Sequence, residues 1–141
     1  MGASGGFCFR TASDLSTGCN LPAGSGAFSC TSSRLTKEHF APIDADEVLG
    51  KVAGLSIQGW NYRTERGVRH VGPTAEDFHA AFGLGPDSTS IGTIDAAGIN
   101  MLAIHALGAR TAQLKRENEA LPCRGGTVGS PGAEIGRDSG R

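Results

Sequence analysis

Apolar and polar positions change their period several times along this chain. Near the start, Phe7 and Phe9 alternate with polar neighbours, the period-two signature of a strand. Asn20-Leu21-Pro22-Ala23-Gly24-Ser25-Gly26 then reads as a loop, and Ala27-Phe28-Ser29-Cys30 as a short strand. Residues 1–31 are therefore expected to form one or two β-hairpins, with turns at Gly18 and at Gly24 to Gly26. A hairpin alone is marginal in water, so this segment should pair with a partner or end something longer. Residues 32–43 form a polar connector that closes on Ala41-Pro42-Ile43.

The period changes at Asp44. This residue offers an N-cap with Glu47 three positions on, and Val48, Leu49, Val52 and Leu55 follow at helical spacing, which predicts a helix over 45–53. Leu55-Ser56-Ile57-Gln58 alternates as a strand, Gly59 interrupts it as across a bulge, and Trp60-Asn61-Tyr62-Arg63 resumes. Val68-Arg69-His70-Val71 reads as the returning strand, so 55–63 and 68–71 are expected to pair as a hairpin. Thr74 should cap a second helix whose Phe78, Ala81 and Phe82 share a face and which Gly83 stops.

After a loop from Leu84 to Gly92, a long helix is expected from about Ala96 to Leu121. Read as heptads, Ile104, Thr111 and Asn118 fall at a positions, and Leu107, Leu114 and Leu121 at d positions. Two polar a positions weaken such a seam and favour one register. The segment from Gln113 to Glu119 is nearly all polar and offers little to a globular core. Pro122 ends the helix. Residues 122–141 hold six Gly and two Pro without periodicity, and are expected to be disordered. The fold class that emerges is α+β: short β-hairpins and small helices, then a long coiled-coil-like C-terminal helix.

Composition narrows the picture. Leu, Ile, Val and Phe make up about a fifth of the 141 residues, near the low edge for a globular chain. With one Trp, one Tyr and six Phe, a core built by one chain would be thin. A net charge of −1 gives no case for non-specific nucleic-acid binding. No run of 18 apolar residues exists to span a membrane, and the first residues lack the basic and apolar regions of a signal peptide. Cys8, Cys19, Cys30 and Cys123 contain no C-x-x-C pair. They read as small buried hydrophobes or incidental thiols, or, for Cys19 and Cys30, as a bridge closing a hairpin.

Motifs of general chemistry are missing: no P-loop, no G-x-G-x-x-G after a strand, no H-E-x-x-H and no G-x-S-x-G. Asp44 and Asp46 alternate as at the start of a calcium loop, but Leu55 stands where the closing Glu would be. His39, His70, His79 and His105 show no ligand spacing, and neither a metal nor a cofactor is expected.

One run carries a resemblance. Cys30-Thr31-Ser32-Ser33-Arg34-Leu35-Thr36-Lys37-Glu38-His39-Phe40-Ala41-Pro42-Ile43 resembles the opening of the chaperone of endosialidase family, which reads S-D-x-x-x-K, then E-N-F or a similar triplet, then Pro. Ser32, Lys37, Phe40 and Pro42 fall on those landmarks without a gap. The similarity continues through Val48 to Val52, Trp60 to Tyr62, Arg69 to Phe78, Phe82 to Gly85 and Ile94 to Gly98, covering residues 30 to about 121. The resemblance implies an intramolecular chaperone at the end of trimeric phage tail spikes, tail fibres or bacterial surface appendages. Such a domain trimerises, helps an upstream β-rich fibre or spike polypeptide fold in register, and then cuts itself off. The implied partners are thus two further copies of the chain and that upstream polypeptide.

The implied cut falls at Thr31–Ser32, with Ser32 as nucleophile and Lys37 as its base. This divides the chain into a β segment (1–31), a chaperone domain (32–121) and a tail (122–141). With only residues 1–31 ahead of the cut, the chain is expected to be a gene fragment, a prophage remnant or a separately encoded piece. A serine hydroxyl is a weak nucleophile until a base takes its proton, and a lysine can do so only when neutral. Positions i and i+5 face opposite sides of a strand and lie about 140° apart on a helix. The pair therefore needs a turn between Ser33 and Thr36, or a lysine from another chain. Two positions depart from the family: Ser33 replaces the Asp after the nucleophile, and Glu76 stands where Gln is common. His70 is expected either to support the site by a hydrogen bond or to serve its hairpin. The alternative reading is a structural trimerisation or fibre-tip module that does not cut.

Overall fold

The computed structural model describes residues 5–121. The chain divides into two compact units, Met1–Ile43 and Asp44–Arg141. The expected disorder of 122–141 lies outside the described residues.

The first unit is a three-stranded antiparallel meander, β1 (Phe7–Arg10), β2 (Gly18–Leu21) and β3 (Ser29–Cys30), followed by a single 3-10 turn at Arg34–Thr36. Phe7 faces Leu21 and Arg10 faces Gly18 across β1 and β2, and Cys19 faces Cys30 across β2 and β3. Gly18 was expected in a turn and instead opens β2. A side chain there would collide with the backbone carbonyl of Phe9, so the close approach of β1 requires glycine. The turn falls earlier, over Thr11 to Thr17, whose ends are tied by the Thr11 amide donating to the Thr17 carbonyl at 3.0 Å. Cys19 and Cys30 are joined by a disulfide, which decides between the open readings of these cysteines. Cys8 is a free, exposed thiol on the other face of the sheet, where it donates to Asn20 Oδ1. Phe7, Phe9 and Phe28 form an exposed aromatic row.

The second unit holds α1 (Ala45–Gly54), a two-stranded antiparallel sheet of β4 (Gln58–Trp60) and β5 (His70–Gly72), α2 (Ala75–Phe82) and α3 (Thr93–Ala120). Asp44 caps α1 by accepting from the amides of Asp46 and Glu47 at 2.9 and 3.0 Å. Thr74 caps α2 by accepting from the Asp77 amide at 3.1 Å. Gly83 ends α2 in the left-handed conformation, at φ 65°. α3 starts three residues earlier than expected, so Asp95 lies in its first turn, where the helix dipole favours a carboxylate.

The hairpin is shorter than its alternation suggested. Leu55 is spent ending α1 and filling the core, so Leu55-Ser56-Ile57 does not pair. Gly59 faces Val71 in regular register, with no bulge. Val48, Phe78 and Ile99, one from each helix, make the core, edged by Val52, Leu55, Phe82, Leu84, Ile91 and Leu102. His79 Nδ1 donates to the Leu84 carbonyl at 2.9 Å and ties the end of α2 to the loop that follows.

This core is thin. Among the described residues no side chain is fully buried, and only Val48, Phe78, Ile99, Ala103 and Ala106 form its buried apolar set. The heptad seam is not taken up by this core: Ile104, Leu107, Leu114 and Leu121 are each more than half exposed. Thr111, a polar seam residue, is satisfied within its own helix by donating to the Leu107 carbonyl at 2.8 Å. Gln113 bonds Glu117 and Lys115 approaches Glu119, so the polar stretch is held by i,i+4 pairs rather than by packing. Among the described residues no helix is long and apolar enough to cross a membrane.

Candidate functional site

The turn that the Ser32 and Lys37 spacing requires is present. Ser33 is its N-cap, extended at φ −65° and ψ 143°, and its hydroxyl accepts from the Leu35 amide at 3.2 Å. The Thr36 amide and hydroxyl both donate to the Ser33 carbonyl, at 3.1 and 2.9 Å, and the Lys37 amide donates to the Arg34 carbonyl at 3.3 Å. Beyond the turn, His39 takes a positive φ of 53°. Asn, Asp and His are the non-glycine residues that tolerate this region best. The chain then folds back so that the Arg34 guanidinium lies 4.5 Å from the centre of the Phe40 ring.

The result is a loop closed on itself, in which Lys37 Nζ lies 2.7 Å from Ser32 Oγ within one chain. The positions the sequence singled out are therefore brought together. Ser33 holds the turn from its first position, through its hydroxyl as cap and its carbonyl as acceptor for Thr36. Sequence reasoning missed the parts that build the loop, namely the Ser33 cap, the conformation of His39 and the Arg34–Phe40 contact. Only Ser33 and His39 carried a readable signal, since Ser is a good cap and His is tolerated at positive φ.

The surroundings are open and polar. Ser32 and Lys37 are exposed, and Leu35 at the tip of the turn is 96% exposed. Asp14, Ser16, Leu35, Thr36, Lys37 and Glu38 line a shallow groove of about 360 Å³ beside the pair. The Ser16 hydroxyl and then the Ser16 amide, both donating to Asp14, hold its carboxyl below the ordinary range. On the acyl side of the Thr31–Ser32 bond, the Thr31 amide donates to the Gly18 carbonyl at 2.8 Å.

His70 belongs to the second unit, where its neighbours are two aromatic rings and the Glu65 carboxylate, 3.7 Å from Nε2. Its ring stacks on Trp60 at 4.8 Å and meets Tyr62 edge-on at 5.4 Å. Within that unit it is a packing residue of the hairpin. Asp44 and Asp46, the start of the rejected calcium loop, lie at the start of α1, where Asp44 is the cap. Among the described residues no three His, Cys, Asp or Glu side chains gather as a metal site.

Comparison with curated proteins and with solved structures gives no match. Comparison with family models gives one, which starts at Ser32 and stops at Gly85, short of α3 and so shorter than the resemblance first suggested. Residues 32–85 match the family described as chaperone of endosialidase.

Proposed function

We propose that this chain is an intramolecular trimerisation chaperone for a tail-fibre or tail-spike polypeptide, and that it releases itself at Thr31–Ser32 through Ser32 and Lys37. The observation that carries the reading is the 2.7 Å contact between Lys37 Nζ and Ser32 Oγ, made across a turn that regular structure could not supply. The family match supports the chaperone role.

The chemistry follows from the order of atoms. Neutral Lys37 takes the Ser32 hydroxyl proton as Oγ attacks the Thr31 carbonyl carbon. The carbon–nitrogen bond then breaks, and its nitrogen gains a proton to become the new α-amino group of Ser32. Thr31 is left as an ester on Ser32 Oγ. Water cleaves that ester, giving the Thr31 carboxylate and restoring the serine. Two needs are unmet in a single chain. Lys37 is exposed, and a lysine acting as a base requires a low-dielectric cover. The oxyanion requires donors aimed at it. Both are expected from neighbouring chains in the trimer, for which the bare Leu35 and the unpartnered α3 seam provide apolar surface.

Each seam side chain that passes from half exposed to buried contributes about 1 kcal/mol, summed over three helices. The seam residues alone do not choose three strands over two, and the number three comes from the family. A β-rich fibre folds slowly because its contacts are non-local, and joining three chain ends sets their register early. Removal of the chaperone afterwards leaves a kinetically trapped fibre.

The exposure of the pair favours one second reading, a trimerisation module that does not cut. Intact mass and light scattering decide between the two. Cleavage is expected to give a fragment of residues 32–141 that vanishes in Ser32→Ala and in Lys37→Ala. A chain that stays whole in all three samples and is still trimeric leaves the second reading. A monomer or dimer overturns both.

A further inference from the structure

Thr31–Ser32 is held from two directions. On one side is the loop that carries Ser32 and Lys37. On the other is β3, only two residues long, with both residues exposed. A strand this short cannot hold itself in place. Its side chains add little, since Phe28 just before it is 59% exposed.

Two connections fasten it. The Cys19–Cys30 disulfide ties β3 to β2, and the register that sets Cys19 opposite Cys30 places Gly18 opposite Thr31, where the Thr31 amide donates to the Gly18 carbonyl at 2.8 Å. Gly18 is itself buried against β1, where only glycine fits. The line of support thus runs from the four-residue pairing of β1 and β2, through one covalent bond, to the residue whose carbonyl would be attacked. Cys30 is the last residue of β3, and Thr31 follows it directly.

We infer that Cys19–Cys30 is a positioning device that clamps the acyl half of the Thr31–Ser32 bond, so that self-cleavage depends on the disulfide being formed. The dependence on cleavage rests on the Ser32 and Lys37 reading; the clamp on Thr31 stands apart from it. Intramolecular attack is fast only when the reacting atoms are held in line, and misplacement by about 1 Å costs roughly 10²-fold. The clamp also outlasts the cut. The new carboxylate on Thr31 sits one residue past the disulfide, so residues 1–31 keep all three strands and their staple. Cys8 takes no part, since it lies on the opposite face of the sheet, bonded to Asn20.

Opening the clamp requires a reductant. A dithiol supplies two electrons and two protons to give the Cys19 and Cys30 thiols, and is itself oxidised to a cyclic disulfide. The test uses the full chain in two forms. In Ser32→Ala, which cannot cut, exchange of the Thr31 amide is followed by NMR with and without dithiothreitol. Protection is expected when the disulfide is formed and loss of it on reduction, while the amides of α1 and α3 stay unchanged. In wild-type chain, reduction is expected to slow cleavage by 10- to 100-fold at unchanged helix content. Reoxidation should restore the rate, and should fail to do so in a Cys19→Ser, Cys30→Ser double variant.

A Thr31 amide equally protected in both states overturns the clamp. Equal cleavage rates in both states overturn its role in the cut. A wild-type chain that stays whole while oxidised overturns the Ser32 and Lys37 reading instead. The Thr31 exchange then decides the clamp alone, upheld by lost protection on reduction and overturned by its persistence.

Discussion

The two units of this chain are held together by different physics. In the second, Val48, Phe78 and Ile99 come from three helices to one buried point, and capped helix ends fix the geometry around it. In the first, Gly18 is the buried residue among those described, and order comes from a disulfide, backbone ladders and side chains bonded to nearby backbone. The Ser32 and Lys37 pair sits in the unit without a core. A hydrophobic core tolerates no small movement but offers no exposed polar chemistry. A stapled polar loop offers the chemistry and depends on a few replaceable bonds for its precision. The family match spans both, since residues 32–43 lie in the first unit and 44–85 in the second.

The largest effect that would break this contrast is removal of the central core side chain. Phe78 is 5% exposed and packs on Phe82 at 4.9 Å between ring centres. Phe78→Ala is expected to cost about 3–5 kcal/mol, enough to melt a unit with so little else buried. Helix content by circular dichroism should collapse, while Cys19 and Cys30 stay resistant to alkylation. Helix content that survives unchanged would mean that contacts between chains, and not this core, hold α1 and α2.

Next in size is the covalent staple. It closes a loop with a sequence separation of 11, so in the chain-entropy account its loss costs the first unit about 3 kcal/mol. Amide exchange should rise across β2 and β3, and the thermal transition of the helices should not move. A matching fall in the helical transition would show that the two units unfold as one, and the contrast would fail.

Helix caps give a smaller and sharper test, because both units have them. Thr74→Ala removes the acceptor for the Asp77 amide and is expected to lower stability by about 1 kcal/mol, seen in the helical transition. Ser33→Ala removes the acceptor for the Leu35 amide in a unit with no core to report the loss. Its effect should appear as a looser Lys37–Ser32 contact and slower cleavage at unchanged helical stability. Ser33→Asp should keep the cap and restore the rate. If Ser33→Ala cuts as fast as wild type, the turn does not depend on its cap.

The same contrast governs what could be read from sequence. Asp44, Thr74 and Gly83 announced their helices because cap chemistry is local and depends on one or two residues. The long helix and its exposed seam were legible for a similar reason, since a periodic pattern survives whatever packs against it. Leu55 to Ile57 misled because their alternation fits a strand, while packing assigned Leu55 to the core. Gly18 misled because glycine marks both turns and close backbone approach, and only the position of Phe9 distinguishes them. The site was half legible. Spacing said that Ser32 and Lys37 could meet only across a turn. The turn itself has neither Gly nor Pro, and is built by Ser33, His39 and a contact between Arg34 and Phe40 that no local pattern announces.

The smallest expected effect is a matched pair of titrations, one in each unit. Asp14 accepts from the hydroxyl and amide of Ser16, and Asp87 accepts from the amide and hydroxyl of Thr89 and the hydroxyl of Ser90. Both carboxyls are thereby held below their ordinary value of 3.8, since these donors bind the charged form. A depressed value in the folded chain means that the contribution to stability is complete above the ordinary value. It is lost as pH falls through the ordinary value and then through the lower folded one. Both groups are exposed, so the change in global stability is small, and carboxyl carbon shifts followed by NMR are the measurement. The Asp87 transition should leave the helical core untouched, because Leu84 and Ile91 anchor both ends of that loop on Val48, Phe78 and Ile99. The Asp14 transition should spread further. The loop from Thr11 to Thr17 lines the groove beside Lys37, and no core lies behind it to absorb the change. Amide shifts at Thr36 and Lys37 should therefore follow the Asp14 titration, and vanish in Asp14→Asn. If they stay still while Asp14 titrates, the groove is wider than a hydrogen-bonded loop can reach, and the first unit is more rigid than its lack of a core implies.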